Sequence, residues 1–276
     1  MNVLLSDRQV RKKLEEIIMR DHWKIRGMML GSAAAIVLLT GAAVGSASYR
    51  AHQLSMMETE YGSWHVGFLD VNFLFEENQL RNDQVESVVS FDNIGYARLE
   101  GGKNPNKPYL FIAGFHEDTY DLLSIKLLSG RLPESSREVL VPSHLASDGG
   151  VELAPGDTLT LTIGLRELGD GLLNQNDPYK PVCEMLSVIE EITYTVVGVY
   201  QRPSFERETS PGYTLITAAD DSIFVENYSV FVTLAEPNQA VTYAEGAATG
   251  QYYILNDRQL PYLKVSDTWS DAEEKA

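Results

Sequence analysis

The chain has 276 residues, a formal net charge of −17 at pH 7, 44% apolar residues and one cysteine, Cys183. The strong negative charge argues against nucleic acid, whose phosphates need clustered Lys and Arg, and a single cysteine excludes an intrachain disulfide. The length beyond residue 50 suffices for one large domain or two small ones, and the apolar content suits a packed core rather than a disordered tail.

The first segment, residues 1–26, reads as an amphipathic basic helix. Ser6-Asp7-Arg8-Gln9 has the form of a capping box, and Val10, Leu14, Ile17 and Ile18 form one helical stripe. Arg8, Arg11, Lys12 and Lys13 are the candidate residues for contact with the inner membrane surface or with a cytoplasmic partner such as an ATPase. Residues 27–49 carry no charge and lie between Arg26 and Arg50. As a helix they span about 35 Å, enough for a bilayer core of about 30 Å. The net charge is +3 over residues 1–26 and −20 over the rest. The basic flank places the N-terminus in the cytoplasm and the acidic part outside. A cleaved signal peptide competes, with Ser46, Ala47 and Ser48 as small residues at the cleavage position, but the leader and the apolar run are both longer than such peptides use. Thirteen of the positions from 27 to 48 are Gly, Ala or Ser, and Gly27/Gly31 and Gly41/Gly45 each form a G-x-x-x-G pair. Small residues let membrane helices approach closely, so these four glycines are the candidates for packing against further transmembrane helices or a second copy.

From residue 50 to 276 the patterns predict one extracytoplasmic domain of mixed strand and helix. Strands are expected over 64–72, 85–99, 108–115, 138–141, 158–163, 192–200, 213–217 and 228–234. Short helices are expected over 73–82, 118–127 (capped by Gly130), 143–148 and 240–248. Residues 164–190, with two glycines and two prolines after Gly164, read as an inserted excursion, a hairpin with a mobile tip.

No catalytic signature is present: no H-E-x-x-H, no G-x-S-x-G, no phosphate-binding loop. His22, His52, His65, His116 and His144 are scattered, and Cys183 has no partner at metal-ligand spacing. The acidic pairs Glu76-Glu77, Glu190-Glu191 and Asp220-Asp221 suit a solvated surface. Asp170, Asn174, Asn176 and Asp177 lack the spacing of a calcium loop. Asn227-Tyr228-Ser229 matches a glycosylation pattern. The expectation is a protein that is not an enzyme and holds no cofactor or metal.

Three segments then stand out together: Ser129-Gly130-Arg131-Leu132-Pro133-Glu134 followed by Glu138-Val139-Leu140-Val141-Pro142; Leu153 to Leu161 (Leu-Ala-Pro-Gly-Asp-Thr-Leu-Thr-Leu); and Tyr194 to Tyr200 (Tyr-Thr-Val-Val-Gly-Val-Tyr). In this order, after one N-terminal span, they resemble the FtsX-like permease family of ABC transporters, over roughly residues 27 to 235. The resemblance implies an α+β class: a single N-terminal transmembrane helix followed by a mixed α+β domain of the MacB-like periplasmic core type. It also implies a permease subunit of the cell membrane, working with a cytoplasmic ABC ATPase. Motion of the membrane helices would pass to an outer domain that handles a lipid, lipoprotein or peptide. Family members typically carry four membrane helices. This chain shows one and no ATPase, which reads as a fragment, a truncated product or a one-span relative. The alternative is a single-span anchored binding or sensor protein without transport.

Overall fold

The computed structural model describes residues 48–49, 52, 55–56, 58–60, 62–220, 225, 227–236, 239–247 and 252–254. The chain divides into two units, Met1–Gln53 and Leu54–Ala276. In the first, only Ser48, Tyr49 and His52 are described, and they are helical. The basic segment, with Arg8, Arg11, Lys12 and Lys13, and the helix-packing candidates Gly27, Gly31, Gly41 and Gly45 lie outside the described residues. Among the described residues no helix is long and apolar enough to cross a membrane.

The second unit is a mixed α+β domain. Its elements run β1 (Val66–Val71), α1 (Phe73–Leu80), β2 (Val85–Arg98), β3 (Tyr109–Phe115), α2 (Thr119–Leu122), β4 (Leu127–Gly130), β5 (Glu138–Pro142), α3 (His144–Ser147), β6 (Thr158–Leu168), β7 (Gly171–Leu173), β8 (Met185–Tyr200), β9 (Gly212–Ala218), β10 (Tyr228–Leu234), α4 (Ala240–Ala247) and β11 (Tyr252–Ile254). The strands lie in the order β11-β1-β10-β2-β3-β9-β5-β8-β6-β7, with β4 on β8 and a further pairing of β2 with β6. That last pairing, Tyr96 with Gly164 and Ala97 with Ile163, closes β2, β3, β9, β5, β8 and β6 into a six-stranded barrel. Strands β11, β1 and β10 continue from the first part of β2 as an open sheet.

The side-chain period of two explains the two cores. Ala97, Leu110, Ile112, Val139, Val141, Leu161, Ile163, Ile192, Tyr194, Val196, Tyr213 and Leu215 come from all six barrel strands and fill the lumen. The intervening Thr160, Thr162, Glu191 and Thr193 face solvent, and the Thr160 and Thr193 hydroxyls meet at 3.0 Å. The opposite face of β2 and β3 joins the open sheet, α1 and α4 in an aromatic core. There Phe231 packs against Trp64, Phe91 and Phe205 with ring centroids 5.1, 5.6 and 5.8 Å away. β3 faces both cores, so all seven of its residues are buried.

Helix α1 starts where expected because the Asn72 side chain accepts from the Phe75 amide at 3.0 Å and caps the first turn. The second helix is shorter than the sequence pattern predicts. Ser124 adopts a positive φ of 52° and ends it, and Leu127–Gly130 is a strand, so Gly130 caps no helix. Gly130 instead takes its positive φ of 81° at a crossing where a Cβ would lie 2.1 Å from the Val197 carbonyl oxygen. In residues 164–190, the stretch read as a hairpin excursion, β6 runs on to Leu168 and β8 begins at Met185, with the short β7 and the non-strand segment 174–184 between them.

Candidate functional site

Among the described residues the domain holds two buried charged clusters and one crowded strand crossing. The first cluster plugs the end of the barrel where β3 and β9 begin. The Glu206 side chain, fully buried in the β8–β9 loop, accepts from Lys107 Nζ at 3.0 Å and from the Thr214 amide at 2.9 Å, with His144 Nε2 at 2.7 Å. Lys107 also lies over the Tyr213 ring, 4.9 Å from its centroid, and the Tyr213 hydroxyl donates to Asp148 at 2.7 Å. Burial pushes the Glu206 carboxyl up, but the His144 hydrogen bond, the His144 and Lys107 charges and the Thr214 amide outweigh it and hold it down at about 2. Several donors surround one carboxylate, and the group ties together segments that are far apart in the sequence, as a clamp.

The second cluster stands on the β6–β8 hairpin. Arg166, fully buried, donates from Nε and Nη2 to the two oxygens of Glu184 at 3.0 and 2.8 Å. It also donates from Nη1 to the Asn174 carbonyl at 2.6 Å and from Nη2 to the Asp177 carbonyl at 3.1 Å. Its guanidinium lies 5.4 and 5.3 Å from the ring centroids of Tyr96 and Tyr109. Burial raises the Glu184 carboxyl, the Arg166 hydrogen bonds lower it, and the net direction is down. The 174–184 segment is thereby folded back over β2 and β3, and Gln175 Nε2 reaches the Gly212 carbonyl at 2.9 Å. The loop oxygens of Asn174 and Asp177 serve the turn itself: Asp177 accepts from the Asn174 amide, and Asn174 from the Asn176 amide, both at 2.8 Å.

The crossing is where the three segments singled out in the sequence meet. β8 carries the third of them and receives the other two: β4 antiparallel at Ser129–Val199 and Gly130–Gly198 and β5 parallel at Glu138–Thr195 from the first, and β6 antiparallel at Thr158–Thr195 from the second. Gly198 is required by close approach, because a Cβ there would lie 2.8 Å from the Arg131 carbonyl oxygen and from Leu140 Cδ2. Arg131 forks onto Glu138 at 2.5 and 2.8 Å, and the Glu134 amide donates to Glu138 at 2.8 Å. The Arg131 hydrogen bonds and that amide bring the Glu138 carboxyl down to about 2. The Gly156 amide donates to the Val196 carbonyl and the Val196 amide to the Asp157 carbonyl, each at 2.8 Å, which is why a Pro-Gly-Asp turn precedes β6. These residues build the fold around β8 rather than line a cavity.

The other candidates disperse. His116 is exposed, and His65 Nδ1 accepts from the Leu234 amide at 2.9 Å. Cys183 is free and exposed. Ser90 donates to Glu76 at 2.6 Å, and Arg81 pairs with Glu77 at 2.9 Å. Ser229 is buried and donates to Asn93, and of the Asn227 tripeptide only Tyr228 and Ser229 belong to β10, with Asn227 half-buried just before it. Among the described residues no three His, Cys, Asp or Glu side chains converge on a metal-sized site. A cleft lined by Asp92, Ile94, Arg137, Ile192, Tyr194 and Asp220, with others, has a volume of about 10 Å³, room for one water. Neither buried cluster was legible beforehand, because Lys107, His144 and Glu206 lie far apart in sequence and share no motif.

No known family profile matches the chain, and no curated protein matches it. Among solved structures the chain is similar to the extracytoplasmic domains of ABC-type transporter permeases. One is the extracellular domain of the noncanonical ABC-type transporter YknZ from Gram-positive bacteria, at 12% identity and a TM-score of 0.37, covering 70% of this chain and 99% of that one. Another is the periplasmic region of MacB from Actinobacillus actinomycetemcomitans, at 12% identity and a TM-score of 0.38, covering 74% of this chain and 94% of that one.

Proposed function

We propose that the chain is an ABC transporter permease subunit, or its N-terminal portion, whose outer domain couples movement of membrane helices to the handling of a lipid, lipoprotein or peptide. The observation that carries the reading is the convergence of the three family-like segments on β8 as one interlocked unit. The uncharged run over residues 27–49, with its basic inner flank, supports an anchor and the orientation. In this reading residues 50–276 stand outside the cell membrane and act without chemistry of their own. Gly27, Gly31, Gly41 and Gly45 pack against further transmembrane helices or a second permease copy. Arg8, Arg11, Lys12 and Lys13 lie at the inner membrane surface or on the ATPase.

The lone cysteine provides the topology test. Cys183 is exposed, so a membrane-impermeant maleimide labels it in intact cells if the domain is outside. Labelling that requires permeabilised cells refutes the orientation. The partnership is tested by copurification with an ATPase encoded in the neighbouring reading frame. Gly31→Leu with Gly41→Leu weakens that complex, and an unchanged yield of crosslinked ATPase refutes helix packing.

A further inference from the structure

β8 is covered on both edges along only part of its length. Residues 195–200 lie between β5 on one side and β4 with the start of β6 on the other, whereas residues 185–194 pair with β6 alone. The direction of the main-chain groups follows from the neighbouring hydrogen bonds. Val196 exchanges its amide and carbonyl with Asp157 and Gly156 on the β6 side, and the Thr195 amide donates to the Arg137 carbonyl on the β5 side. By alternation, Glu191 and Thr193 direct N–H and C=O to the edge that no described strand covers.

The side chains along this stretch are open as well. Met185 is 67% exposed, Val188 61% and Ile189 59%, and Val182 just before them is 93% exposed. Soluble domains blunt such edges with lysine or proline, and residues 182–195 contain neither. The one irregularity is a bulge at Ile189, opposite Ile163 and Gly164. Glu190 and Glu191 follow it, both exposed and without an ion pair among the described residues. An apolar, strand-ready edge bordered by unneutralised carboxylates selects its occupant: an extended chain that supplies main-chain hydrogen bonds and positive charge. A second copy of this chain fits poorly, since it would bring another pair of glutamates and another acidic body to the same edge.

We propose that residues 185–193 of β8 form a docking edge on which a basic, extended segment of a partner protein adds as a further strand. The proposal goes beyond the permease reading and does not depend on it.

The test uses the full chain in detergent micelles and a fluorescent peptide of alternating Lys and Val, about nine residues long to match a strand. Two control peptides are an alternating Glu–Val peptide and a Lys–Val peptide N-methylated along one edge, which keeps charge but cannot complete the ladder. The Lys–Val peptide is expected to bind about tenfold or more tightly than either control, and to weaken with salt. In the complex, amide exchange at Glu191 and Thr193 slows about tenfold or more. Glu190→Lys with Glu191→Lys, both at exposed positions, lowers affinity about tenfold or more while the urea midpoint of the chain is unchanged. Equal binding of the N-methylated peptide would reduce the effect to charge adhesion and overturn the proposal. Unchanged exchange at Glu191 and Thr193 overturns it too, as does dimerisation of the chain through this edge in sedimentation velocity.

Discussion

Replacing Arg166 with methionine tests the structure at its most demanding point. The Arg166 and Glu184 side chains are both fully buried and joined by two hydrogen bonds of 3.0 and 2.8 Å. Removing the cation leaves a buried carboxylate without its partner, which costs about 3–5 kcal/mol. The carbonyls of Asn174 and Asp177 lose their donor as well, each worth about 1–3 kcal/mol if it stays dry. Some of that is regained because the loop can loosen and admit water, so Arg166→Met should cost about 4 kcal/mol, a large part of a typical domain's stability. Arg166→Met with Glu184→Met removes both charges and leaves only neutral groups unpaired, the two carbonyls and the Lys180 amide, so it should cost about 2 kcal/mol less than Arg166→Met alone. The signature is therefore a double variant more stable than Arg166→Met alone. Urea denaturation of the purified chain, followed by far-ultraviolet circular dichroism at constant m, gives the free energies lost in Arg166→Met, in Glu184→Met and in the double variant. Additivity of the single substitutions within about 0.5 kcal/mol would refute the reasoning, and so would a cost below about 1 kcal/mol for Arg166→Met.

Three further outcomes follow from the same physics. The Glu206 carboxyl is held at about 2 against an ordinary 4.5. A folded-state pKa below the unfolded one stabilises fully above the unfolded value and is lost as pH falls through the folded value, a contribution of about 3 kcal/mol here. Urea midpoints measured from pH about 6 to about 2 should fall steeply below pH about 4.5 in the native chain and less steeply in Glu206→Gln; parallel slopes contradict the clamp. Phe231→Ala, which empties the centre of the aromatic core, should cost about 3–5 kcal/mol in the same assay, and a cost under about 1 kcal/mol would mean the ring cluster is not packed as described. Gly130→Ala forces a side chain onto the Val197 carbonyl at a positive φ, so thermal unfolding should show a loss of about 2 kcal/mol or more; a neutral result removes the crossing as a constraint.

Much of the strand pattern was legible because period-two alternation and β-branched runs mark half-buried strands, as in Thr158 to Ile163 and Ile192 to Tyr200. β3 was legible for the opposite reason, an unbroken apolar run that a strand between two cores requires. What escaped was pairing that depends on distant partners. Leu127–Gly130 continues a helical pattern locally, yet β8 offers it a hydrogen-bonded edge. A hairpin was legible in residues 164–190, but the register of its arms and the buried Arg166 that sets its interior were not, because no apolar alternation marks them. The three family-like segments could be found as words, but their shared role at one strand crossing could not. Gly198 tolerates no side chain only because Arg131 and Leu140 arrive there from other parts of the chain.

β3 works as a party wall. Leu110 and Ile112 look into the barrel while Phe111 and Phe115 look into the aromatic chamber on the other side. No severance of the two chambers leaves either one sealed, since taking away the open sheet would bare a wall of phenylalanine to water, and taking away the barrel would leave that wall unsupported. The two chambers are therefore expected to melt in a single cooperative step.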